Sequence, residues 1–219
     1  MTIGSGFTDG RSGYPVPDSE VCRDAEGLLR RTSQPALVNH CLRSYLWGAA
    51  LADAEAVTFD PELLFVSAAL HDLGLLPQFD TGAAFEADSA AEARRFVADH
   101  GLPAGKALKV AEAIVLHMAP DVALDHGHEA YLLWHATSID VTGAGLERLS
   151  ATTISQVMTA YARLDFVKSF GQAFADQAGR KPSSSAAHSV RHGLLERLAA
   201  CPLNERQEPA RPDNREGSS

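Results

Sequence analysis

His40, the adjacent pair His71-Asp72, and Asp140 could each donate an electron pair to a divalent cation, and each stands in otherwise core-like sequence. His71-Asp72 ends the apolar run Leu63 to Leu70, where burying a carboxylate without a partner is expensive. A metal ion would remove that cost, and imidazole and carboxylate both suit borderline or hard divalent ions. Neighbouring residues at a helix end can reach one ion once the backbone leaves regular helix. Asp140 shares a helical face with Leu133, Ala136 and Thr137, again where a core residue is expected. Two His and two Asp from three helices would fill four positions and leave room for water on an ion that accepts five or six ligands. Each residue alone also has a plainer explanation. His40 fits a hydrogen-bonded core histidine, His71-Asp72 a chance dipeptide, and Asp140 a solvated helix end.

Other residues could serve the same chemistry. His117 ends a stripe formed with Val110 and Ile114, where imidazole could bind substrate or move protons near neutral pH. A histidine favoured by a helix C-terminus is the alternative. Arg43 follows His40 by three positions and shares its face. It could bind an anionic substrate or form a salt bridge to a carboxylate at the core edge. Glu86 and Asp88 precede a capping box at Ser89-x-x-Glu92, where a loop or cap role is the simple reading.

The elements that must position these groups read as helices. Thr32, Ser33 and Gln34 offer a cap before Pro35, after which Leu37, Cys41, Leu42, Tyr45 and Ala49 recur at helical spacing. Asp60-Pro61 is a second start, with an end expected near Gly74. The capping box predicts a third helix from Ser89 to His100-Gly101-Leu102-Pro103. Further helices fit about 105–117, 128–142, 153–177 and 186–200, with Pro120 and Gly143 as stops. β-Branched residues nowhere alternate over a useful length. The fold class is therefore all-α, a single bundle of about six to eight helices over residues 21–202. Residues 1–20, rich in Gly, Ser and Pro, read as a flexible arm, and 203–219 as a disordered tail with few apolar side chains.

A chain of 219 residues with 45% hydrophobic residues can build one substantial core. Its formal charge of −9 argues against a general nucleic-acid partner. Cys22, Cys41 and Cys201 are odd in number, widely spaced and without a C-x-x-C pair, which favours a reducing interior. With no apolar leader and no stretch that could span a bilayer, a cytoplasmic protein without membrane contact is expected. A small-molecule substrate is the expected partner, and apolar surface on the last helices would suit a homo-oligomer.

The segments Asn39-His40 to Arg43, Ala68-Ala69-Leu70-His71-Asp72-Leu73-Gly74 and Asp140 resemble the H…HD…D pattern of the HD-domain superfamily. Its members are all-helical, metal-dependent phosphohydrolases and related enzymes. The resemblance implies His40, His71, Asp72 and Asp140 as the metal set, position by position. Asn39 to Tyr45, Phe85-Glu86-Ala87-Asp88, Ala113 to His117 and Ser138 to Gly143 are further similar to the cyanamide-hydratase-like branch, over about residues 35–170. Cys41 and Met118 depart from that branch, where Ser and a small hydroxyl residue are usual. The branch implies zinc, although the ligand types also suit Fe, Mn, Co or Ni. It also sets Glu86 and Asp88 over the pocket. In bimetallic relatives extra histidines follow the His-Asp pair. His117 could be one, whereas His126, His128 and His135 are expected to face solvent.

Three functions follow from these expectations. In the first, activated water adds to a nitrile carbon, as in cyanamide to urea, while Asp72 or His117 relays a proton to nitrogen. Segments such as Leu75-Leu76-Pro77 and His117-Met118-Ala119-Pro120 are apolar, and Arg43 is the one evident cation for a phosphate. The second is hydrolysis of nucleotides or phosphate esters. The third is a non-catalytic helical binding module with a structural metal.

Overall fold

The computed structural model describes residues 13–207, which form ten α-helices, four short 3₁₀ turns and no β-strand. The expected arm and tail lie largely outside the described residues. Of the described parts, Tyr14 and Val16 rest against the core, the Tyr45 hydroxyl donates to the Pro15 carbonyl at 2.7 Å, and Leu203 is buried.

Helix α1 (Glu20–Thr32) is capped by the Ser19 side chain, which accepts from the Cys22 amide, and it buries Val21, Cys22, Ala25 and Leu29 along one face. Helix α2 (Pro35–Glu55) is the central element. It is buried almost continuously from Val38 to Ala52, so it can carry polar groups into the middle of the protein. Helix α3 (Pro61–Leu70) starts where Asp60 accepts from the Glu62 and Leu63 amides, and every residue from Leu63 to Leu70 is buried. A helix apolar on all sides must be surrounded, and α3 packs on α1, α2, α5 and α6. After it the chain tightens into a 3₁₀ turn at Leu73–Leu75.

Helices α4 (Phe85–Asp99) and α5 (Ala104–Leu116) pack on each other. Helix α6 (His128–Thr142) lies along α2 and stops at Gly143, whose φ of 79° suits glycine. Helices α7 (Ala151–Ala160), α8 (Phe166–Arg180), α9 (Ser185–Arg191) and α10 (Leu194–Ala199) complete the fold. Phe166, Phe170 and Phe174 of α8 anchor a second apolar cluster with Ala36, Phe85, Val141, Ala186 and Leu198. Among the described residues no helix is long and apolar enough to cross a membrane.

The all-α expectation holds, with more breaks than helical spacing suggests. The run 153–177 divides because Leu164 takes a φ of +55° and Arg163 turns inward to donate to the Asp140 carbonyl at 2.5 Å. The run 186–200 divides at Gly193, with φ +80°. Ser89 is no cap: α4 begins four residues earlier, and the Ser89 hydroxyl accepts from the Gly74 amide at 2.8 Å. The bond ties α4 to the turn after His71-Asp72. Gly74 is required there, since a Cβ would stand 2.1 Å from the Phe85 carbonyl oxygen.

Candidate metal centre

His40, Arg43 and Trp47 recur along one face of α2, at spacings of three and four. His71 is the C-cap of α3, and Asp72 follows with φ −108° and ψ 9°, outside regular helix. That departure lets two consecutive side chains face one point. His40 Nε2 lies 3.2 Å from His71 Nε2 and 3.3 Å from Asp72 Oδ2, and His71 Nε2 lies 3.2 Å from the same oxygen. All three side chains are buried.

The other ring nitrogens decide what this triangle can be. His40 Nδ1 donates to Asp140 Oδ2 at 2.7 Å, and His71 Nδ1 donates to the Ala68 carbonyl at 2.8 Å. In their neutral forms both rings therefore turn the lone pair of Nε2 toward Asp72. Asp72 Oδ2 is buried and has no hydrogen-bond partner among the described residues. Three electron-rich atoms thus converge with no donor between them. Ligand bonds of about 2.1 Å give edges of about 3.0 Å on an octahedron and about 3.4 Å on a tetrahedron. The observed separations lie between the two, so the donor set fits a divalent metal. Without a metal, a proton can occupy the gap. Burial alone would lower the His40 pKa, but the Asp140 and Asp72 carboxylates raise it above the ordinary value. Burial opposes ionisation of Asp72, yet the two histidines hold its pKa below the usual carboxylate range.

Asp140 does face inward but stands on the other side of the His40 ring. Its Oδ1 accepts from Arg43 Nε at 2.7 Å and Trp47 Nε1 at 2.8 Å, and its Oδ2 accepts from Arg43 Nη2 and His40 Nδ1, both at 2.7 Å. Four donors occupy the carboxylate, and in this geometry it orients the His40 ring rather than joining the triangle. Burial would raise its pKa, but Arg43 and His40 hold it well below the usual range. Arg43 is likewise not a substrate group. It is fully buried, paired side-on with Asp140, and donates from Nη1 to the Tyr161 and Ala162 carbonyls. The salt bridge, the plainer of its two readings, is the one observed.

His117 joins the three donors at the floor of one cavity of about 640 Å³. Its Nδ1 donates to the Ile114 carbonyl, its Nε2 stands 3.9 Å from Asp72 Oδ1, and its ring meets His71 edge-on. Burial, aided by His71 beside it, lowers its pKa to about 3, so the ring is neutral at pH 7. Phe170, Phe174, Trp134 and Val141 form the walls.

Asp88 and Glu86 do not line this cavity. Asp88 accepts from the Thr81 amide and hydroxyl at 3.1 and 2.5 Å, closing the loop before α4. Glu86 is buried on the first turn of that helix. His126 and His128 are exposed, whereas His135 is half-buried against Arg148. Sequence reasoning missed Trp47 and Arg163, which support Asp140, and the α9–α10 wall carrying Ser185, His188, His192 and Arg197. Trp47 could have been found by its seven-residue spacing from His40; the wall had no such signal.

The fold and site define an all-helical domain with a buried His-His-Asp cluster that could hold a metal ion, lining one cavity. The chain matches the HD domain family over residues 37–151, just over half its length, and it belongs to that family. The family is generally one of metal-dependent hydrolases that bind divalent metals. No curated protein matches the chain.

Proposed function

We propose that the protein is a metal-dependent, water-activating enzyme whose ion is held by His40 Nε2, His71 Nε2 and an Asp72 carboxylate oxygen, with zinc the first candidate. The observation that carries this reading is the buried Asp72 Oδ2, left without a donor beside two ring nitrogens whose lone pairs face it. A divalent ion there supplies Lewis acidity and brings the pKa of water down to about 7 in favourable sites. Asp140 holds His40 in the tautomer that binds, and Arg43 and Trp47 hold Asp140. His117, neutral and with Nδ1 committed to Ile114, turns Nε2 toward Asp72 Oδ1 as a hydrogen-bond acceptor that can orient water or substrate. Phe170 and Phe174 thin the water around the reacting group.

The finer reading is addition of water across a small C≡N group, as in the hydration of cyanamide to urea. Its support is the sequence likeness together with the fate of the nearby cations. Arg43 and Arg163 are buried and directed at Asp140, so the lining next to the triangle is neutral or apolar. Hydrolysis of a phosphate ester is the second reading, favoured by Arg197, His188 and His192 in the outer lining of the cavity. Elemental analysis of purified protein, followed by urea and ammonia assays with cyanamide and small nitriles and by a phosphate-ester panel, separates them. Asp72→Ala should remove both metal and turnover. Full metal content in that variant would overturn the ligand assignment, and efficient phosphate release with cyanamide untouched would overturn the nitrile reading.

A further inference from the structure

The cavity has two chemically different ends. The three candidate ligands and His117 are buried, with Phe170 beside His40 and Phe174 next to it, whereas His188, His192 and Arg197 of the same lining are exposed. Its outer wall is α9 and the start of α10. Ser185, His188, Ser189 and His192 recur at spacings of three and four, so α9 turns one polar face to the cavity. Arg197 of α10 closes that wall. Its Nη1 donates to the His192 carbonyl at 2.5 Å, which fixes the guanidinium beside the end of α9. Among the described residues this is the hydrogen bond it makes, and a guanidinium carries five donors. Ser185 Oγ is buried, lines the same cavity and has no partner among the described residues. A permanently charged fork, two imidazoles and a hydroxyl without a partner therefore face the mouth of an apolar passage. All of them lie beyond the stretch matched to the HD family.

We propose that this wall selects an amphipathic substrate: the reacting group lies at the floor, an apolar body passes Phe170, Phe174 and Leu194, and a terminal carboxylate or phosphate is taken by Arg197 with Ser185 and the two histidines. The proposal rests on the floor being the metal site. The volume agrees, since about 640 Å³ lies in the range for ligands of drug size and far exceeds the needs of three heavy atoms. The chemistry agrees as well, because a guanidinium pairs with a carboxylate or phosphate through parallel N–H bonds. The anion is held at a distance from the reacting centre, so this role is compatible with a neutral floor.

The test uses the metal-loaded full chain and three probes of one shape: 4-phenylbutyrate, 3-phenylpropylphosphonate and the neutral 4-phenylbutanamide. Binding is read by calorimetry and by the fluorescence of Trp134, which lines the cavity. At least one anion should bind about tenfold tighter than the amide, and comparing the two anions identifies which headgroup the wall prefers. Arg197→Met should erase the preference and Arg197→Lys should keep part of it; Arg197 is exposed, so the fold should tolerate both. Asp72→Asn should leave the preference intact. Equal affinities, a preference that survives Arg197→Met, or one that disappears in Asp72→Asn because the anion sits on the metal would each overturn the proposal. Should elemental analysis find no metal while the Arg197-dependent preference stands, the floor reading falls and anion selection by the wall survives.

Discussion

Asp140→Asn tests the site at its support rather than at its ligands. The carboxylate takes four donors, two of them from Arg43, and both partners are fully buried. An amide has one acceptor oxygen, so its NH₂ group must face N–H donors on the other side, and Arg43 loses its counter-charge. Breaking a buried ion pair by removing one partner costs about 3–5 kcal/mol. Orphaned donors at about 1–3 kcal/mol each give the same range. For a chain of this size that corresponds to a fall in melting temperature of roughly 6–20 °C. Since His40 keeps its ring and loses only its anchor, metal affinity should fall about 10–100-fold instead of vanishing. Unfolding would be followed in chelator, and zinc titration at a temperature where both proteins are folded. A melting temperature within a degree or two of wild type would refute the four-donor account. A folded variant with no measurable metal affinity would refute the placement of Asp140 behind His40 and restore it as a ligand.

Three further outcomes can be checked on the metal-free protein. Gly74→Ala forces a Cβ to 2.1 Å from the Phe85 carbonyl, so α4 must retreat; a loss of about 3 kcal/mol in denaturant unfolding is expected, and an unchanged midpoint would contradict the close approach. His117 has a folded-state pKa of about 3 against an ordinary 6.5, so the unfolded chain binds the extra proton between those values and stability falls with falling pH. From pH 7.5 to 5 this one group should cost the metal-free protein about 2 kcal/mol. His40 contributes with the opposite sign, its pKa being raised, so the decisive measurement is the difference in pH slope between wild type and His117→Asn. An identical slope would place His117 in solvent. All three cysteines are free and buried, and burial raises the Cys22 thiol to about 11. About one Cys22 in a thousand is then ionised at pH 8, and a chromogenic disulfide reagent should react with the thiols only after unfolding; rapid labelling of the native protein would contradict the packing.

Helices that present whole apolar stripes and end in strong stop residues are legible from sequence alone. Asp60-Pro61 caps α3 and Gly143 ends α6 where the spacing predicts. The three-donor cluster is legible for a different reason: His40 on α2 and His71-Asp72 at the end of α3 stand in apolar stretches and together match the H…HD…D pattern. What spacing cannot show is direction. Asp140 is inward-facing, as its neighbours Leu133 and Ala136 indicate, but inward here means toward Arg43 and Trp47. The split of α7 from α8 also escapes local pattern, because its support is the long-range bond from Arg163 to the Asp140 carbonyl. Ser89-x-x-Glu92 has cap spacing and sits inside α4, since its hydroxyl finds a better use at the Gly74 amide. Helix α1 carries Val21, Cys22, Ala25 and Leu29 at helical intervals, a readable stripe that the polar arm before it hides.

The charges inside the protein favour Asp72 over Asp140 as the place where an ion would be held. Arg43 neutralises Asp140, and Arg163 stands 3.7 Å from the same carboxylate. Among the described residues no arginine pairs with Asp72, and its nearest groups are imidazoles that carry charge only when protonated. A divalent ion would supply the missing positive charge, and its binding would add to folding stability by mass action. At a free zinc concentration 100 times the dissociation constant the gain is about 2.7 kcal/mol, or roughly 5–11 °C in melting temperature for a domain of this size. Asp72→Asn keeps the shape of the side chain and removes the charge that the ion answers, so its melting temperature should not respond to zinc at the same concentration. A shift of wild-type size in that variant would mean that zinc binds elsewhere. Asp140→Asn should still respond, by less and at higher zinc, because it disturbs only the ring that holds the ion.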